Sequence, residues 1–269
     1  MSAERVRETM SDSPGGVLSV WAHPDDEAIC AAGTLALCAQ RGEHVRVICA
    51  TRGEWGPISS PALASRETLG TVRERELRDA CSALSIHEPL FLDLPDGGVT
   101  DSSLHDALYT LVVRIRTERP RVLLGFGPEG LYGHRDHIAM WQLAVDARRA
   151  AADHTFHTPG LAAYKVPRHF FAVWTGQQVR ELFETLAAAG TPGQLWKLTP
   201  EHFILSERDV SARVDVHSVL TQKLRAIRAH RTQLAADHAL SVIDDASAQR
   251  VLGIERFRCA DGLGGDPLD

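Results

Sequence analysis

Short apolar runs alternate with longer amphipathic stretches through the first half of the chain. Val17 to Trp21, Val45 to Ala50, Pro89 to Leu92 and Val122 to Phe126 are nearly unbroken runs, the pattern of strands buried on both faces of a parallel sheet. Glu27 to Arg41, Arg66 to Leu84, Ser103 to Glu118 and Asp136 to Ala151 carry apolar residues at helical spacing. Each is long enough for the crossover that parallel strands require. Strand and helix in alternation predict an α/β fold with a doubly wound, mainly parallel sheet flanked by helices. Gly42 reads as the C-terminal cap of the first helix, and Pro120 falls just before the fourth strand.

The second half is less regular, because Pro159, Pro167, Pro192 and Pro200 with several glycines break it into short pieces. It is expected to supply extra strands and to complete the site. Val210 to Val216 alternates like an edge strand, and Ser218 to Ala236 reads as a late helix with Leu220, Leu224, Ile227 and Leu234 on one face. Residues 17–259 are expected to form a single domain, with residues 1–16 and 260–269 as loose tails.

Composition narrows the classes. With 44% hydrophobic and 24% charged residues, the 269-residue chain is a globular protein, large enough to bury a core without staples. There are 29 Lys and Arg against 35 Asp and Glu, net charge -6, with the arginines scattered, which argues against nucleic acid as a partner. No apolar run approaches the ~18 residues of a membrane span, and the polar start of the chain lacks a signal-peptide core. A cytoplasmic location is expected. Five cysteines without a CxxC pair, four of them in apolar surroundings, read as reduced structural thiols.

Two polar clusters interrupt this pattern at the carboxyl ends of strands, where open parallel sheets bind ligands. AHPDDE follows the first strand and presents His23, Asp25, Asp26 and Glu27 at a helix start. A helix cap would account for one aspartate and an acid in the first turn. It does not account for His, Pro and two acids directly behind a buried strand, whereas a divalent cation needs imidazole and oxygen ligands of this kind, from His23 and from Asp25 or Asp26. GLYGHRDH follows the fourth strand after a short link, so it faces the same cleft, and His134 and His137, three apart, share a helix face. Together the two clusters can supply three ligands plus an acid and a base, the inventory of a hydrolytic metal site. His154 and His157 repeat the spacing without a preceding strand and carry no such expectation. HRD without VAIK, DFG or APE elements is not a kinase loop, and GFGPEG lacks the spacing of a dinucleotide fingerprint.

AHPDDE, TRGE after the second strand, Arg73, Glu76 and Leu77 in an RxxEL pattern, LPDG after the third strand and YGHRDH, in this order, resemble the LmbE/PIG-L family of zinc-dependent N-acetylglucosaminyl deacetylases. KLRAIRAHRTQ, Lys223 to Gln233, is similar to a segment near the end of bacterial members. The resemblance implies a Rossmann-like fold and an enzyme, a hydrolase of non-peptide C–N bonds. It implies that His23, Asp26 and His137 hold Zn2+, with Fe2+ as the other candidate, and that Asp25 is the general base. It further implies that His134 stabilises the oxyanion or protonates the leaving amine, oriented by Asp136, with Tyr132 as a second donor. Arg135 stands where members often have Pro.

Arg52, Glu54, Arg73 and Asp96 are candidate substrate contacts, and Trp55 a candidate surface for stacking on a sugar ring. Lys223 and His230 are candidates for the rim of the site, and Gly53 to Ser65, rich in Gly, Pro and Ser, for a mobile lid. The expected substrate is a small acetylated amino sugar or its conjugate, and self-association is left open. The alternatives are hydrolysis of another small-molecule amide, such as a thiol conjugate, or a noncatalytic sugar-binding module.

Overall fold

The structure is a computed structural model that describes residues 15–191, 193–262 and 264–269. Its first half alternates as the pattern predicts: β1 (Val17–Trp21), α1 (Asp26–Gln40), β2 (Val45–Cys49), α2 (Leu69–Ala83), β3 (Leu90–Phe91), α3 (His105–Glu118), β4 (Val122–Gly125), the short α4 (Gly130–Gly133) and α5 (Arg135–Ala152). The second half adds β5 (Arg168–Ala172), α6 (Gly176–Ala188), β6 (Ala212–Asp215), α7 (Leu220–Ala229), α8 (Ala239–Val242), α9 (Asp245–Leu252) and β7 (Ile254–Cys259). The seven-stranded sheet has the order β3-β2-β1-β4-β5-β7-β6. Its first five strands pair in parallel, and β7 joins β5 and β6 antiparallel. β6, the expected edge strand, closes the sheet on that side, with alternate residues buried.

β1, β2 and β4 are buried along their whole length, as strands covered by helices on both faces must be. One core runs through both halves, from Trp21, Leu35 and Ile48 to Phe170, Ile227 and Phe257. All five cysteines are free and buried within it. α7 ends at Ala229, earlier than the periodicity predicts, because His230, Thr232 and Gln233 turn their side chains to Glu27, Glu76 and Pro57.

The N-terminal tail expected over residues 1–16 lies almost wholly outside the described residues. The C-terminal segment is not loose. Arg41 donates to the carbonyl of Leu268, Arg121 to those of Pro267 and Asp269, and Arg168 to that of Gly264. Three guanidiniums meeting a run of free carbonyls outweigh the entropy of a short tail. Among the described residues no helix is long and apolar enough to cross a membrane.

Candidate metal and catalytic centre

Val20 of β1 is in register with Gly125 of β4, so the chain leaves both strands side by side at one sheet edge. That adjacency brings the two polar clusters together across more than a hundred residues. His23 Nδ1 is 3.3 Å from His137 Nε2 and 3.5 Å from Asp26 Oδ2, and His137 Nε2 is 3.4 Å from Asp26 Oδ1. Ligands about 2.0–2.2 Å from a tetrahedral zinc lie about 3.3–3.6 Å from one another. The triangle has that size.

The hydrogen bonds behind the triangle fix which ring atoms face it. His137 Nδ1 donates to the carbonyl of Gly130 at 3.2 Å, and burial lowers this imidazole's pKa to about 3, leaving Nε2 a bare lone pair. On the far side of His23, Nε2 lies 3.3 Å from Asp136 Oδ2 and 3.2 Å from Asp96 Oδ1. Carboxylates behind a metal-binding imidazole are the usual device for orienting it. Burial opposes a charge on His23, yet Asp136, Asp26 and Asp96 outweigh burial and hold its pKa well above 6.5. Burial also opposes ionisation of Asp26, but His137 and His23 keep its carboxyl well below the usual range. The free Nε2 of His137, the Nδ1 of His23 and a carboxylate this close call for a positive charge between them, supplied by the proton on His23 or by a cation that displaces it, and this donor set suits zinc or iron. Ligand atoms of His23, His134 and His137 also lie within 4.8 Å of one another, as do those of His23, Asp96 and Asp136.

Asp25 occupies the N-cap position of α1, but its side chain makes no capping bond. Its backbone is strained, with φ 124° and ψ -27°, a conformation that costs a non-glycine residue about 1–3 kcal/mol. Its carboxylate takes a bond from Arg73 Nη2 at 3.1 Å, and its N–H donates to Glu27 Oε2 at 3.0 Å. Burial raises the Asp25 carboxyl from 3.8 to about 7, with Arg73 opposing and the Asp26 charge adding to the rise. Arg73 also donates to the carbonyls of Pro24 at 2.5 Å and Gly53 at 2.9 Å. A Cβ on Gly53 would lie 2.1 Å from that guanidinium, so the loop needs glycine there, at φ +62°.

His134 caps α5, its Nδ1 accepting from the N–H of Asp136 at 3.2 Å. Burial lowers its pKa, and in the neutral ring Nε2 carries the proton as a free donor. Asp136 therefore meets His134 only through its backbone. Its carboxylate turns to His23 and to the N–H groups of Gly97 and Val99, so it orients the ring of His23 and not, as expected, that of His134. Tyr132 rises into the cavity from a tight loop in which Gly130, Leu131 and Gly133 all have positive φ. A Cβ on Gly130 would meet Ile138 at 2.6 Å, which ties the loop to α5. Arg135 points to solvent near Asp101 and leaves the two histidines undisturbed.

These groups open into a cavity of about 740 Å³. Its polar side holds His23, Asp25, Asp26, His134, Arg73 and Asp96. Arg52 and Glu54 are not among its lining residues. Arg52 pairs with Glu74 at 2.5 Å and with Asp93, and Glu54 Oε1 caps the N–H of Asp96 at 3.0 Å, so both support the loops around the site. Trp55, 68% exposed, stands at the cavity and is not packed under its loop. The expected lid is pinned. Ser59 bonds the carbonyls of Thr232 and Arg231, Gln233 donates to Pro57, and Arg66 donates to Glu54 and Gly56.

Sequence reasoning missed the opposite wall, where Trp174, Trp196, Leu198 and Phe203 give an apolar surface. No local pattern marks them, since they come from irregular chain. Lys223 and His230 do not reach the rim. Lys223, buried, pairs with Glu255 at 2.8 Å, and His230, also buried, bonds Glu27 at 2.8 Å. His154 and His157 are exposed and are not among the residues that line the cavity.

The fold and the centre define a class: a Rossmann-like α/β protein with a His and carboxylate cluster suited to a divalent cation, at the carboxyl edge of its sheet. Residues 18–148 match the GlcNAc-PI de-N-acetylase (PIG-L) family. The chain is 36% identical to 1D-myo-inositol 2-acetamido-2-deoxy-alpha-D-glucopyranoside deacetylase of Nocardia farcinica, covering 84% of this chain and 82% of that one. It is 31% identical to the protein of the same description from Thermobispora bispora, with 93% and 89% covered. The chain belongs to the PIG-L family. Among solved structures the fold is similar to N,N'-diacetylchitobiose deacetylase of Pyrococcus horikoshii, TM-score 0.66 at 22% identity over 95% of this chain and 88% of that one. It is equally similar to GalB, the 4-carboxy-2-hydroxymuconate hydratase of Pseudomonas putida, TM-score 0.68 at 21% identity over 96% and 100%.

Proposed function

We propose that this protein is a metal-dependent hydrolase that removes the N-acetyl group from an N-acetylglucosamine-type amino sugar or its conjugate. The observation that carries this reading is the convergence of His23 Nδ1, His137 Nε2 and the Asp26 carboxylate, 3.3–3.5 Å apart, beside the uncapped carboxylate of Asp25 in one cavity. Its curated relatives are named for deacetylating an inositol-linked acetamido sugar, which supports the substrate class.

His23, Asp26 and His137 would hold Zn2+, or Fe2+ in its place. A divalent ion bound there supplies Lewis acidity, polarising the amide carbonyl and lowering the pKa of water from 15.7 to about 7. Asp25 accepts the proton that water loses as it attacks the amide carbon. The Nε2–H of His134 and the Tyr132 hydroxyl face the same space as donors for the developing oxyanion, a contact worth about 3–4 kcal/mol per donor. The departing amine takes its proton from His134 or from the now protonated Asp25. Asp136 and Asp96 keep the ring of His23 in place, and Arg73 aims the carboxylate of Asp25.

The test is metal analysis followed by amine release from a panel: N-acetylglucosaminyl inositol, diacetylchitobiose and free N-acetylglucosamine. Chelation is expected to abolish release, and Zn2+ or Fe2+ to restore it. A fully metallated protein that frees no amine from any of them overturns the reading in favour of another amide or of sugar binding alone.

A further inference from the structure

His230 and Glu27 form a buried pair that the reaction as described does not use. Neither lines the cavity, so neither touches substrate. They are 203 positions apart, Glu27 fully enclosed and His230 nearly so. The two oxygens of Glu27 do different things. Oε1 accepts from His230 Nε2 at 2.8 Å, and Oε2 accepts the N–H of Asp25 at 3.0 Å. That N–H belongs to the strained residue with φ 124°, whose carboxylate is held at its other end by Arg73. Asp25 is thus clamped twice, by Arg73 on the side chain and by Glu27 on the backbone, and the second clamp leans on His230.

The position of His230 is itself overdetermined. It ends α7, and Thr232 just beyond it donates from both N–H and Oγ1 to Glu76 at 2.8 and 2.6 Å. Ser59 closes on the same turn through the carbonyls of Arg231 and Thr232. His230 Nδ1 has no partner among the described residues, so the ring makes a single side-chain bond, the one to Glu27. A group held this firmly for one contact has that contact as its purpose. A second staple on α7 serves as an internal comparison. Lys223 reaches α1 through Glu255, which accepts from the N–H groups of Gly33 and Thr34, far from Asp25.

We infer that His230 is a positioning residue for Asp25: through Glu27 it holds the backbone of the base in its strained conformation, an inference that rests on Asp25 being the base. Without the imidazole N–H, a buried carboxylate oxygen loses its partner, and Glu27 turns to find another. The bond to the Asp25 N–H then weakens, and the carboxylate swings on Arg73 alone.

The experiment uses the full-length, metal-loaded chain with His230→Phe, His230→Gln and Lys223→Met. With an N-acetylglucosamine conjugate, His230→Phe is expected to lower kcat about 10- to 100-fold with KM little changed and metal content intact. His230→Gln, which keeps an N–H donor, should recover most of that loss. Lys223→Met should lower the melting temperature while leaving kcat near wild type. Hydrogen exchange of the Asp25 amide should quicken about tenfold in His230→Phe, with the β1 amides still protected. Unchanged Asp25 exchange, or an equal loss of kcat in Lys223→Met, overturns the inference and leaves His230 a packing residue. The exchange measurement decides this even if no acetylated sugar is turned over, in which case it is the proposed function that falls. If His230→Phe does not fold, Glu27→Gln takes its place, with the same expected loss and the same refuting result.

Discussion

Asp25→Asn separates the base from the metal ligands and from the fold. The substitution keeps the size and planarity of the side chain, and Asn tolerates positive φ better than most residues, so the strained turn at φ 124° persists. Arg73 exchanges a carboxylate for an amide oxygen but keeps the carbonyls of Pro24 and Gly53, which limits the stability loss to about 1–2 kcal/mol. Asp25 is not one of the three groups around the proposed metal position, and metal content is expected to equal that of the wild type. Turnover is another matter. An amide cannot take the proton, and a lost general base costs about 10²–10⁴-fold, or about 3–5 kcal/mol in the barrier. The assay is amine release at saturating substrate alongside metal analysis and a melting curve. A variant with full metal and activity within a few-fold of wild type refutes the base assignment. A variant that loses its metal refutes the separation of Asp25 from the ligand set.

Two further outcomes concern stability. Burial, with the nearby charge of Arg148, depresses the pKa of His169 from 6.5 to about 3, so the unfolded chain binds the proton first as pH falls. The contribution is absent above pH 6.5 and grows below it, reaching about 3 kcal/mol of destabilisation at pH 4.5; the stability difference between wild type and His169→Phe in denaturant titrations should be constant near neutral pH and change by about that amount in acid, and parallel curves would sink the argument. Lys223→Met strands the carboxylate of Glu255 with only its bonds to Gly33 and Thr34, which should cost about 3 kcal/mol in urea unfolding, the lower end for a broken buried pair; a loss under about 1 kcal/mol would show that the α1 donors alone satisfy Glu255.

The strands around the site were legible because a strand buried on both faces leaves a run such as VLSVW, whose ends coincide with β1. The clusters behind β1 and β4 were legible because charge in such a place is costly. Other features left no local trace. β5 reads RHFFA, and its His169 is buried only because β4 and β7 flank it, so nothing in the segment alone announces a strand. The family resemblance implies that Asp136 orients His134, but its carboxylate meets the ring of His23, which the fold brings within 3.3 Å. His230 and Lys223 read as candidates for the rim of the site, because the acids that draw them inward, Glu27 and Glu255, are distant in the chain.

The division of labour between the halves follows from where the family match ends. Fold likeness alone does not choose a chemistry, since a hydratase and a deacetylase resemble this chain about equally well, at TM-scores of 0.68 and 0.66. The match to the family spans residues 18–148, and every group proposed to bind the cation or move a proton lies inside it. Trp174, Leu195, Trp196, Leu198, Phe203 and His238, which form the opposite wall of the cavity, all lie beyond it. Under the proposed function the groups that cut the bond come from the first half of the chain, and the cavity that would receive the substrate is lined from both, by Trp55, Arg73 and Asp96 from the first and by this wall from the second. Exchange of that wall for the corresponding segment of a relative should change KM across the sugar panel while the response to chelation stays the same.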